Sequence, residues 1–233
     1  MIIRWLAVMV TAVLLAACGS SSSNDDIPPL TGPLTYLALG ASDAAGIGAS
    51  SLENGYVYRV EDALESEREE AVELFNLGIP GALADDIVGA LDLALLTGIR
   101  PDLVTLWTGA NDLTRGRLPA DFASDLDTIL GRLRGETDSL IFLGDLPDLT
   151  ALPRFVAEPD SDVTLERVAA FNAVIVEQAA RHGAALVPLS ALPVEGELTS
   201  DVDGFHPSNA GHVAIAEAFL AVIRPALGLP APQ

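Results

Sequence analysis

Five short, largely apolar segments that read as buried strands, each followed by a stretch with helical periodicity, leave few folds open to this chain. The segments are Thr35–Leu39, Val72–Leu77, Leu103–Trp107, Leu140–Leu143 and Ala185–Pro188. Strands that are apolar along their whole length are buried on both faces, as in parallel sheets. Tyr56–Glu69, Leu83–Leu96, Ala120–Leu133, Leu165–His182 and Ser208–Ile223 read as helices. Thr164 and Ser208 are placed to act as N-caps, and Gly183 supplies a helix stop. In the last helix Val213, Ala216, Leu220 and Ile223 recur at steps of three and four, which marks a buried face. The alternation predicts an α/β fold: a five-stranded parallel sheet sandwiched between two helical layers. Ligands of such sheets bind just beyond the carboxyl ends of the strands.

Four strand-end stretches carry the residues of interest. After the first strand comes Gly40-Ala41-Ser42-Asp43, with Gly46 and Gly48 just beyond. A serine on that turn stands beside backbone N–H groups not yet bonded, a placement that suits a nucleophile. After the second comes Asn76-Leu77-Gly78-Ile79-Pro80-Gly81, a glycine-rich turn into a helix whose N–H groups can donate. After the third comes Thr108-Gly109-Ala110-Asn111-Asp112, where the Asn111 amide is either a turn former or a donor to a developing oxyanion. Before the last helix comes Asp203-Gly204-Phe205-His206-Pro207. An Asp and a His three apart on a tight loop can set the carboxylate on Nδ1–H and leave Nε2 as a base.

Charge removes several other functions. The formal net charge is -21 over 233 residues, and the chain has no lysine. Nucleic-acid binding needs a basic face, and a phosphate-cradling P-loop needs a lysine. Cys18 is the single cysteine, so no intrachain disulfide or cysteine metal cage can form, and neither metal nor cofactor is expected. The other two histidines are weaker candidates for a base: His182 ends a helix, where a C-terminal cap is expected, and His212 lies inside the last helix.

The amino terminus reads as an address. Arg4 precedes an apolar stretch, Trp5 to Ala17, too short to span a bilayer comfortably. It ends Leu15-Ala16-Ala17-Cys18-Gly19, which resembles the lipobox of bacterial lipoproteins. That resemblance implies cleavage before Cys18, lipidation of Cys18 and display at the cell envelope. The expected organisation is a signal peptide over 1–17, a lipidated cysteine and serine-rich tether over 18–33, a folded domain over 34–228 and a tail over 229–233.

Taken together and in order, the four strand-end blocks resemble the GDSL/SGNH hydrolase family over residues 35 to about 222. Gly40-Ala41-Ser42 corresponds to the family's Gly-Asp-Ser, with the aspartate displaced to Asp43 or absent. Gly81 ends the family's Asn-x-x-x-x-Gly pattern, Gly109, Asn111 and Asp112 match Gly-x-Asn-Asp, and Asp203, His206 and Pro207 match Asp-x-x-His-Pro. The resemblance implies a flavodoxin-like SGNH hydrolase fold and ester hydrolysis through an acyl-enzyme. In it Ser42 is the nucleophile, His206 the base and Asp203 its orienter, with Ser42, Gly81 and Asn111 forming the oxyanion hole. The segment from Asp145 to Asp162 reads as a long, apolar, proline-studded connection. Such loops often serve as lids or binding edges. That favours an esterase, lysophospholipase or thioesterase acting on a small-molecule ester. Carbohydrate O-deacetylation is the second enzyme reading, and a non-catalytic ligand-binding lipoprotein is the rival from another class.

Overall fold

The computed structural model describes residues 31–194 and 196–230. The expected signal peptide and Cys18 lie outside the described residues, as do most of the tether and the last three residues of the tail. Five strands, β1 (Leu34–Gly40), β2 (Val72–Gly78), β3 (Leu103–Trp107), β4 (Leu140–Gly144) and β5 (Ala185–Val187), form a sheet in the order β2-β1-β3-β4-β5. All four pairings are parallel. This is the flavodoxin-like order, and it reverses direction between β1 and β3. The helices are α1 (Tyr56–Arg68), α2 (Ala84–Leu96), α3 (Ala110–Thr114), α4 (Pro119–Glu136), α5 (Pro153–Ala157), α6 (Leu165–His182) and α7 (Asn209–Ala226).

Strand β1 shows why both faces of the sheet are covered. Side chains alternate across a strand. Tyr36 and Ala38 join Tyr56 and Val60 of α1 and Phe219 and Ile223 of α7. Leu37 and Leu39 join Ile87 of α2, Leu126 of α4 and Phe171 of α6 on the opposite face. All four strand residues are fully buried, and each buried leucine is worth about 1.5–3 kcal/mol. The polar atoms inside are matched as well: the Tyr36 hydroxyl and Thr105 Oγ1 lie 2.8 Å apart and satisfy each other.

The caps fall where expected. Thr164 Oγ1 accepts from the Arg167 amide and Ser208 Oγ from the Gly211 amide, each at 3.2 Å, and Gly183 ends α6 with a φ of 62°. Some boundaries move. Pro119 at the first position starts α4 one residue early, since its fixed φ and missing N–H suit that place, and the helix continues three residues past Leu133. The 145–162 connection is more ordered than a plain loop: it holds a 3-10 turn, Leu149–Ala151, and the short α5 opening on Pro153. It is also fastened at its start. The Asn172 side chain of α6 accepts from the Leu146 amide and donates to the Leu146 carbonyl, both at 2.8 Å.

Candidate active site

Gly40 at the end of β1 pairs in register with Trp107 at the end of β3. The stretches after these two strands therefore emerge side by side where the strand order reverses. Ser42 sits on the first, 5% exposed. Gly48 follows with a φ of 94°, and a Cβ there would run into the Pro207 carbonyl. That close approach lets the turn after Ser42 pack against the loop carrying His206.

The result is a continuous hydrogen-bonded chain. The Ser42 Oγ lies 2.9 Å from His206 Nε2, and His206 Nδ1 lies 2.5 Å from Asp203 Oδ2. The other Asp203 oxygen accepts from the Phe205 and His206 amides at 2.9 and 3.0 Å. Partial burial raises the Asp203 carboxyl, but the bonds from His206 and these two amides outweigh it and hold the group below the usual carboxylate range. Asp203 is therefore ionised at neutral pH and accepts the hydrogen bond from His206 Nδ1–H. Nε2 is left as the acceptor for the Ser42 hydroxyl.

Asn111 occupies the first turn of α3, a helix too short to leave a periodic signal in the sequence. Its Nδ2 donates to the Ala82 carbonyl at 2.9 Å, which fixes the amide plane and leaves a second N–H. Asp112, fully buried, accepts from the Ala84 amide and, at 2.7 Å, from Arg117. These two residues are rungs between the end of β3 and the loop after β2. That loop holds Gly81, which has a φ of 77° and a carbonyl that accepts from Arg115 at 2.9 Å. Among the described residues no acceptor meets the backbone N–H of Ser42 or of Gly81.

Two cavities share walls beside the serine. A small one is walled by Ser42, Asp43, Trp107, Thr108, Asn111 and Phe205, among others. Gly81 is not among its walls. A larger, apolar one shares Asp43, Trp107, Ala110 and Phe205 with the first and is closed by Leu149, Leu152, Leu189 and Leu192. Leu149 and Leu152 come from the 145–162 connection, so that segment does border the site. It also braces it: the Arg154 amide donates to the Gly204 carbonyl at 3.0 Å, and Phe155 meets Phe205 edge-to-face at 6.0 Å.

The other histidines have structural roles. His182 does not cap α6; its Nε2 lies 2.8 Å from Asp127 Oδ1 of α4, while Gly183 makes the cap. His212 is fully buried, accepts from the Tyr56 amide at Nδ1 and donates to the Ile47 carbonyl at 3.0 Å through Nε2. Burial pushes its pKa down, and the Ile47 bond only partly offsets this, so the ring is neutral and ties α7 to the turn beyond Ser42. Asp43, read in the sequence only as a possible displaced family aspartate, proves to be a cavity wall. Its one sequence signal was an acid immediately after the serine. Ala41, in the motif's acidic position, is buried in the α2/α4/α6 core.

Residues 38–214 match the model of the GDSL-like lipase/acylhydrolase family. This chain belongs to that family. As a family member it is a carboxylic ester hydrolase. Among curated relatives, the esterase TesA of Pseudomonas aeruginosa is 27% identical over 194 residues, 83% of this chain and 89% of its own length. A GDSL-like esterase of Mycobacterium tuberculosis is 25% identical over 201 residues, 82% of this chain, but the match spans only 62% of that protein. The crystal structure of TesA superposes with a TM-score of 0.68 at 25% identity, covering 82% of this chain and 98% of that one. The lipase/acylhydrolase of Enterococcus faecalis shares the fold, with a TM-score of 0.69 at 23% identity over 86% of this chain and 99% of its own.

Proposed function

We propose that this family member hydrolyses esters of small apolar acyl groups through an acyl-enzyme on Ser42. As Ser42 Oγ attacks the ester carbonyl, His206 Nε2 takes its proton and later gives it to the departing alcohol; a water then repeats the cycle to release the acid. Asp203 keeps the imidazole in the required tautomer and stabilises its cationic form. The tetrahedral oxyanion is met by the Ser42 and Gly81 backbone N–H groups and the second Asn111 N–H, all three being unspent donors.

The observation that carries the substrate class is the apolar cavity sharing walls with the Ser42 cavity. An acyl chain bound there removes its own surface and that of Leu149, Leu152, Leu189 and Leu192 from water, whereas a sugar would leave hydroxyls unpaired. Hydrolysis of p-nitrophenyl esters of graded acyl length, beside acetylated sugars, tests this. Short to medium aliphatic acyl groups are expected to be preferred over sugar acetates; the reverse order would overturn the reading.

The same proposal takes Cys18 as a lipidated residue that anchors the enzyme at the bacterial cell envelope. The support is the Leu15-Ala16-Ala17-Cys18 sequence, followed by four consecutive serines. Palmitate labelling should be lost in Cys18→Ser, and labelling that persists would remove the anchor.

A further inference from the structure

Asp43 is the one acidic residue that walls both cavities, and nothing in the hydrolytic cycle above uses it. Among the described residues, no group of another residue hydrogen-bonds or ion-pairs with its carboxylate. The titratable groups that act on it are His206, whose protonated form favours its ionisation, and Asp203, which opposes it; no arginine is among them. Half-buried and sharing cavity walls with Trp107 and Phe205, this carboxylate is open to a ligand that brings its partner. Burial accordingly pushes Asp43 up to about 6, so at neutral pH it is charged and unmatched.

Its position says which part of a substrate it meets. Asp43 follows the nucleophile directly and stands where the Ser42 cavity passes into the apolar one. With the ester carbonyl at Ser42, the acyl atoms next to the carbonyl pass Asp43, and the remainder of the chain lies among Leu149, Leu152, Leu189 and Leu192. This step rests on the reading of the apolar cavity as the acyl site. We propose that Asp43 is a specificity determinant that selects acyl groups bearing an ammonium beside the carbonyl and an aliphatic remainder, that is, esters of apolar α-amino acids. A single carboxylate in an otherwise apolar pocket is a recognised way of choosing a cationic group. The overall charge of -21 works in the same direction by drawing cations towards the protein.

The test compares p-nitrophenyl esters of leucine, of N-acetylleucine and of 4-methylpentanoate, which is leucine without its amine, on the native protein and on Asp43→Asn at pH 7. A hydrogen bond to a charged group supports a preference of roughly 10- to 100-fold in kcat/KM for leucine over 4-methylpentanoate in the native protein. Asp43→Asn should collapse that ratio towards one while retaining turnover of the 4-methylpentanoyl ester. The N-acetyl ester, bulky and uncharged at the same atom, should be the poorest substrate of the native protein. A native ratio of one or below, or a preference that survives Asp43→Asn, overturns the assignment and leaves the aliphatic acyl site standing. Hydrolysis of p-nitrophenyl acetate without turnover of any of the three larger esters overturns both.

Discussion

The backbone amide of Arg154 donates to the carbonyl of Gly204 at 3.0 Å, which bonds the connection after β4 directly to the loop that carries Asp203 and His206. The segment that closes the apolar cavity therefore also holds the loop of His206. In the proposed mechanism, binding of the acyl chain and alignment of the imidazole share one support.

Gly204 is where that support is most exposed to substitution. Its φ is 63°, and a Cβ would lie 2.9 Å from the Arg154 nitrogen. Gly204→Ala is expected to force the two loops apart, lowering kcat at least tenfold, with a stability loss of about 1–3 kcal/mol from backbone strain. Steady-state kinetics and urea denaturation check the two effects. Unchanged kcat would mean that the brace does not position His206.

Asn111→Ala removes the proposed oxyanion donor together with the rung to Ala82. Loss of one such donor costs about 3–4 kcal/mol of transition-state stabilisation, or 10²–10³ in kcat. KM should move far less than kcat. A variant that raised KM with kcat intact would place Asn111 in ground-state binding instead.

Asp43 makes a prediction about stability that is independent of substrate. Its folded value of about 6 lies above the ordinary carboxylate value, so the unfolded chain binds fewer protons between about pH 4 and 6, and stability falls as pH rises through that window. Asp43→Asn should raise stability at pH 7 by up to about 3 kcal/mol and have little effect at pH 4. Urea midpoints at the two pH values measure it.

His212 acts with the opposite slope. Its folded pKa lies below the ordinary histidine value, so its contribution is complete above about pH 6.5 and is lost as pH falls below that. His212→Gln retains a donor towards Ile47 but does not titrate. It should lower stability near pH 8, where the bond from the Tyr56 amide is lost, and flatten the decline below pH 6.5; the same urea series at stepped pH reads both.

Much of this site was legible in the chain because strand ends leave compact signals. Ser42, Asn111, Asp203 and His206 each follow a strand or precede a capped helix, and parallel topology brings such places to one edge. The sheet followed from the uninterrupted apolar runs of β1, β3 and β4. What escaped had no local signature. The Asn172 clasp on Leu146 joins residues 26 apart, and the His212 bridge joins Ile47 to a residue 165 positions away. Neither spacing has a motif. α3 and α5 span only five residues each, too short for a 3.6-residue period to show. Asp43 was visible as an acid beside the serine, but its place between two cavities depends on how Phe205 and Trp107 close around it.

In the proposed mechanism Ser42 is the nucleophile, activated by His206. Labelling of the folded protein with a fluorophosphonate, followed by peptide mapping, tests it most directly. A single adduct is expected on Ser42, absent in Ser42→Ala and formed at least 100-fold more slowly in His206→Ala. An adduct that persists in Ser42→Ala, or a native protein that takes no label, would contradict it.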